Sequence, residues 1–157
     1  MSLSQMIEAY LAGPIALRKT VAGMSREQVL ARPIPGKWST LEVVCHLADF
    51  DPIMADRMKR IIAEDKPQLL GADEKHFAAA LVYHERDLEE ELTIIERTRS
   101  QMARILRTLK PEAFQRVGVH NERGPLTLEK MLTLSGNHIP HHLSFIVEKR
   151  LALGLPA

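Results

Sequence analysis

From Phe77 to Leu109, the residues Leu81, Leu88, Leu92, Ile95, Met102, Ile105 and Leu109 fall in steps of three, four and seven, with charged residues between them. That spacing matches the 3.6-residue turn of an α-helix and collects the apolar side chains on one face. A chain with such a stripe has to bury it against other elements, and the same period recurs three more times. Leu3, Met6, Ile7, Tyr10, Leu17 and Val21 mark a first helix over residues 3–22, bent or interrupted at Gly13-Pro14. Leu41, Val44, Cys45, Ala48, Ala55, Met58 and Ile62 mark a second, which Ser39 opens as N-cap with Glu42 placed to complete a capping box. The last pattern starts after Thr127, runs through Leu128, Met131, Leu132, Leu134, Ile139, Leu143, Ile146 and Leu151, and stops at Gly154 and Pro156. No alternating strand pattern and no internal repeat is visible, so the expectation is an all-α four-helix bundle.

A length of 157 residues with 45% hydrophobic content suits one domain over residues 1–157 with a single core. Connections of roughly 15 residues or more exceed the 2–8 usual between antiparallel neighbours, which argues against a simple up-down-up-down order. One connection, "MSREQVLARPIPGKW", offers a short helical turn after Ser25 before its prolines halt it.

Charge and cysteine content exclude several classes. Lys and Arg total 21 against 20 Asp and Glu, without a one-sign cluster, so nucleic acid is not an expected partner. The N-terminal "MSLSQMIEAYLAG" has no basic stretch ahead of a long apolar run, and nothing approaches the ~20 apolar residues of a membrane span. A soluble cytoplasmic protein is expected, with no membrane partner. Cys45 is the single cysteine, so there is no internal disulfide and no cysteine-rich zinc motif, and on an apolar helix it reads as core.

The chemistry lies in "SGNHIPHHLSF", residues 135–145. A four-residue step turns a helix by only about 40° and climbs about 6 Å, so His138 and His142 face the same way one turn apart. His141 is three residues from His138 and offers an alternative pair. Met131, Leu134, His138, His142 and Phe145 form a continuous stripe that His141 does not extend, which favours His142 as the inward residue. The pair reads either as half-buried imidazoles hydrogen-bonded to neighbours or as two ligands of one metal ion. His46, in the apolar "VVCHLADFD", is placed to be the third imidazole if the second and fourth helices lie side by side. Asp49, three residues on, reads as a solvated or capping carboxylate, or as a group that orients a ligand histidine. Pro52 and Pro140 fall near the proposed ligands, and bends there could open a pocket. His76, His84 and His120 stand in polar segments and read as solvated. The sequence contains no Gly-rich phosphate loop and no GxSxG elbow.

"KWSTLEVVCHLADFD", followed about 90 residues later by "GNHIPHHLSFI", resembles the DinB-like, or YfiT-like, superfamily of small four-helix bundles. The resemblance covers nearly the whole chain. It implies an up-down-down-up bundle, a homodimer, and a three-histidine metal site that carries over to His46, His138 and His142. Many members have a glutamine a few residues after the last histidine. Ser144-Phe145-Ile146 stand there in this chain, so no role for that side chain carries over.

Three neutral imidazoles are the usual nitrogen donors for a divalent transition metal such as Zn, Ni or Fe, and Mn belongs to the same range of candidates. The expected function is a metal-dependent hydrolase acting on a small molecule. A second reading, which the resemblance supplies, is a thiol-dependent S-transferase or isomerase using bacillithiol or mycothiol. A third is a non-enzymatic metal- or ligand-binding module. By sequence the nearby carboxylates are Glu42, Asp49 and Asp51, and none is assured as a general base.

Overall fold

The computed structural model describes residues 1–157. The chain begins with α1, Leu3–Val21, whose Ser2 and Gln5 form a capping box. A short α2, Arg26–Leu30, forms where the sequence offers a helical turn after Ser25, and Ser25 caps it. Helix α3, Thr40–Ala63, starts as expected: Ser39 Oγ accepts the Glu42 N–H at 3.1 Å, and the Glu42 carboxylate accepts the Ser39 N–H at 2.7 Å. These contacts satisfy N–H groups that a helix start leaves without intrahelical partners.

The third apolar pattern is not one helix. It divides into α4, Glu74–Ala80, a 3-10 turn at Tyr83–Glu85, and α5, Leu88–Leu106. Val82 takes a left-handed φ of 45°, and the Asp87 carboxylate caps a fresh start by accepting the Glu90 N–H at 2.9 Å. Tyr83 is buried beside Val29, Leu41 and Cys45, while Leu81 and Val82 are exposed. The chain leaves the helical path to seat that aromatic ring, and the break interrupts the stripe at Leu81. Helix α6 is Leu128–Ala152, capped by Thr127 and closed where Gly154 takes a φ of 74°.

The fold is mostly helical but not all-α, because a three-stranded sheet joins the connections. Strand β2, Val117–His120, is central, with β1, Gln68–Leu69, parallel on one side and β3, Gly124–Thr127, antiparallel on the other. Each strand has four residues or fewer, too short for a period-two pattern to stand out in sequence. A Cβ at Gly118 would lie 2.8 Å from Leu69 Cδ1 and 2.9 Å from Ile61 Cγ1, so the absence of a side chain lets the sheet dock on α3. Arg116 fixes the docking by donating to the Ile61 carbonyl at 2.8 Å and the Glu64 carbonyl at 2.6 Å.

The four long helices touch in the cyclic order α1, α6, α3, α5, which leaves α1 diagonal to α3 and α5 diagonal to α6. One apolar cluster includes Tyr10, Met58, Met102 and Leu132, and a second includes Leu17, Leu47, Ile95 and Ile139. A polar knot accompanies them at the bundle centre. Arg99 of α5 is wholly buried and pairs with Asp51 of α3 at 2.6 and 2.9 Å. It also donates to the Ser135 carbonyl at 2.9 Å and the Tyr10 carbonyl at 2.8 Å. Pro14 lacks the N–H that would bond Tyr10 within the helix, and Arg99 takes the place of that donor. A Cβ at Gly13 would stand 2.6 Å from Arg99 Nη1, so the guanidinium crosses α1 where glycine leaves room.

Candidate metal centre

His46 sits in the second turn of α3, 1% exposed, with Trp38 at 5.4 Å and Phe50 at 4.6 Å between ring centroids. The capping box that fixes where α3 begins also fixes where His46 points. Helix α6 presents His138 and His142 on consecutive turns with ring centroids 5.0 Å apart. Because α3 and α6 are neighbours, these rings meet His46 at 5.0 and 4.8 Å. One nitrogen from each ring falls in a group no more than 4.8 Å across, and His46 Nε2 and His138 Nε2 are 3.1 Å apart.

Burial keeps all three imidazoles neutral. It lowers the His46 pKa, and together with the neighbouring imidazoles it pushes His138 down to about 3 and His142 to about 4. A neutral ring offers one bare lone pair, as metal coordination requires. Tetrahedral bonds of about 2.0–2.1 Å put ligand nitrogens about 3.3 Å apart, close to the spacing of the His46 and His138 pair. The Nδ1 atom of each ring is buried without a hydrogen-bond partner. Packing therefore holds the rings, and no carboxylate or carbonyl orients them. The donor set fits a divalent transition-metal ion held by His46, His138 and His142.

The remaining histidines and carboxylates fall elsewhere. His141 is exposed, 5.1 Å from the His142 ring and 5.2 Å from Phe145, outside the converging nitrogens. Asp49 is neither solvated nor turned to a ligand, because Arg86 holds it through two bonds of 2.9 and 3.0 Å. Asp51 serves Arg99. Cys45 is core: it is buried, donates to the Tyr83 carbonyl at 3.5 Å, and burial pushes its thiol up to about 12. His76 and His84 are solvated as expected. His120 is not, being 4% exposed on β2 with Nδ1 accepting the Glu122 N–H at 3.2 Å.

His46 and His138 line one end of a cleft of about 600 Å³ between α3, α4, the β2–β3 hairpin and α6, with His142 packed behind them and His141 also on the lining. Neither Pro52 nor Pro140 lines it, and each sits inside a continuous helix. The long connections wall it. Glu74, at the start of α4, brings Oε2 to 3.8 Å from His46 Nε2, and its side chain is 54% exposed toward the cleft. Sequence reading passes over Glu74 because nothing in the 27 intervening residues signals that the connection folds back on α3. Its one local mark is the Asp73 cap, which accepts the Lys75 and His76 N–H groups.

A helical bundle with three neutral imidazoles converging at the end of a cleft defines a class of metal-binding bundle proteins. A family model of the DinB superfamily matches residues 10–146, and the chain belongs to that superfamily. A relative from Oceanobacillus iheyensis, named as a candidate metal-dependent hydrolase, is 31% identical over 133 residues, covering 85% of this chain and 77% of the relative. YfiT of Bacillus subtilis, similarly named, is 28% identical over 142 residues, covering 90% and 80%. The solved YfiT structure, described as a probable metal-dependent hydrolase with an unusual four-helix bundle topology, superposes with a TM-score of 0.91. That match has 26% identity and covers 99% of this chain and 91% of the YfiT chain. A mycothiol-dependent maleylpyruvate isomerase shares the fold at a TM-score of 0.72 and 10% identity, over 92% of this chain and 60% of that one.

Proposed function

We propose that this protein is a metal-dependent hydrolase of a small molecule, with His46, His138 and His142 holding one divalent transition-metal ion. The observation that carries the reading is the convergence of three neutral imidazoles beside the Glu74 carboxylate in an open cleft. Bound there, such an ion supplies Lewis-acid chemistry, polarising a substrate oxygen and making water more acidic. The chain supplies the rest. Trp38 and Phe50 pack the His46 ring, so the imidazole needs no rearrangement to present its lone pair. Glu74 is the group positioned to take a proton from attacking water and return it to the leaving group.

The resemblance to bundle proteins of up-down-down-up order, the homodimer and the cytoplasmic location belong to the same reading. The diagonal placement of α1 and α3 supports that order, and the free, buried Cys45 supports a reducing compartment. No helix is long and apolar enough to cross a membrane.

The test is elemental analysis of tag-free protein, followed by hydrolysis of small esters and amides by the metal-loaded chain and by its Glu74→Gln variant. Stoichiometric metal with hydrolysis lost in Glu74→Gln supports the reading. Metal without hydrolysis of any ester or amide overturns it. In that case a sulfur-to-metal charge-transfer band, on adding small thiols to cobalt-substituted protein, identifies the thiol-dependent transferase, and its absence leaves a binding module.

A further inference from the structure

At the far end of the cleft, Arg57 is a cation without a direct ion-pair partner, although Glu122 and Asp56 act on it from farther off. It lies three turns beyond His46 on the same face of α3, since eleven residues turn a helix through almost a whole number of turns and about 16 Å of rise. It is 9% exposed, yet no carboxylate approaches within ion-pair distance. Nη2 donates to the Leu70 carbonyl, Nη1 reaches only the Met54 sulfur at 3.6 Å, and Nε has no partner. Burying an unpaired guanidinium is costly. Other buried cations are better supplied with acceptors: Arg99 is matched by Asp51 and two carbonyls, and Arg150 donates to the carbonyls of Thr20, Ala22 and Pro156.

Two further donors stand on the β2–β3 hairpin, which walls the same end. Arg123 lines the cleft and makes no hydrogen bond or ion pair. His120 also lines it. Its Nδ1 accepts the Glu122 N–H, so in the neutral ring the proton resides on Nε2. Burial and the nearby Arg57 lower its pKa. Of the two cleft carboxylates, Glu74 is beside His46. Glu122 lies over Gly71, its carboxylate oxygens 2.7 and 3.0 Å from where a Cβ there would stand, so its charge is felt by Arg57 and His120 without reaching ion-pair distance of either.

We infer that Arg57, Arg123 and His120 form an anion-binding subsite, so that the substrate is an elongated small molecule carrying a carboxylate or phosphate group remote from the bond that reacts. This rests on the reading of the three imidazoles as the reactive end. Arg57 is the specificity-determining residue: an anion supplies the acceptors its guanidinium lacks, while Arg123 and His120 close on the same group from the hairpin. Long side chains on a helix lean toward its N-terminus, so the guanidinium stands nearer the imidazoles than its Cα does. The subsite and the imidazoles therefore address opposite ends of one molecule.

The test titrates the full, metal-free chain with inorganic phosphate and, separately, with succinate, following heat and amide chemical shifts. Saturable binding that shifts the Gly71 and Asn121–Gly124 amides, weakened roughly tenfold or more in Arg57→Gln and Arg123→Gln, is the expected result. Preference for phosphate or for succinate identifies the group. No saturable binding of either, or binding unchanged in both variants, overturns the proposal. Arg123 is at an exposed position, so Arg123→Gln decides the matter if Arg57→Gln fails to fold. Metal content of the same chains as purified, before the metal is stripped for titration, separates the two readings. A His142→Ala chain that loses metal but keeps its anion affinity supports the subsite independently. A wild-type chain that binds no metal but retains Arg123-dependent anion binding refutes the metal reading alone.

Discussion

Nε2 of His46 stands 3.1 Å from Nε2 of His138, although 92 residues of chain separate them. Both rings are neutral, so a proton on one nitrogen at most can relieve the facing lone pairs, and the third ring gains nothing from it. A cation among the three satisfies all of them at once.

Replacing a ligand should therefore be severe. His46→Ala and His142→Ala are each expected to weaken metal binding by more than the roughly 10–100-fold that loss of a supporting hydrogen bond costs in metal sites. His141→Ala should leave stoichiometry unchanged. Chelator competition reads all three, and metal loss confined to His141→Ala would reverse the assignment of faces.

The pH dependence follows from burial. An unfolded imidazole titrates near ~6.5, whereas His138 and His142 in the folded chain titrate at about 3 and about 4. As pH falls below the unfolded value, the unfolded state takes up more protons, so stability of the metal-free protein declines until pH passes the folded values. Above ~6.5 these groups contribute no slope. Urea unfolding at neutral and mildly acidic pH checks this, and a His138→Ala/His142→Ala chain should show a shallower decline. An equally steep decline in that chain would assign the effect to other groups.

Arg99 and Asp51 predict a different signature. Arg99→Met leaves a buried carboxylate unpaired and should cost about 3–5 kcal/mol. Asp51→Leu added to it should recover much of that loss, since an apolar pair of similar volume avoids the desolvation penalty. A double-mutant cycle by urea unfolding measures the coupling, and simple additivity would refute it.

Gly118→Ala puts a methyl within 3 Å of Leu69 and Ile61. The expected cost is about 1–3 kcal/mol, typical of overpacking. Increased hydrogen exchange at β1 and β2 amides, with α1 and α5 protected as before, would place the damage at the sheet.

The capped starts of α2, α3 and α6 were legible because a cap is a local event: Ser25, Ser39 and Thr127 act on N–H groups within three residues. The imidazole trio was legible for a related reason, since helical period alone aligns His138 with His142. Contacts decided by tertiary placement were hidden. Tyr83 leaves an apparently continuous helical stripe to pack beside Cys45, and His120 is drawn into the cleft wall from a segment whose neighbours are polar. Glu74 and Arg57 gain meaning only from what folds against them. The short strands are set by pairing across the chain, Gln68 with Val119 and Val117 with Thr127, and four residues carry too little pattern to announce it.

Because the cleft is walled on one side by helices and on the other by connections, its two ends answer to different constraints. His46, His138 and His142 are locked to the packing of α3 on α6 and cannot drift without disturbing the core. His120 and Arg123 ride on a hairpin anchored through Gly118 and Arg116, and Glu74 rides on a short helix with no buried residue of its own. The two walls are thus separable: the hairpin that carries His120 and Arg123 can change without disturbing the α3–α6 packing that holds the three imidazoles, whereas Arg57 belongs to the helical wall. A graft of residues 120–123 from one bundle to another exchanges the hairpin's share of the cleft lining and leaves Arg57 in place.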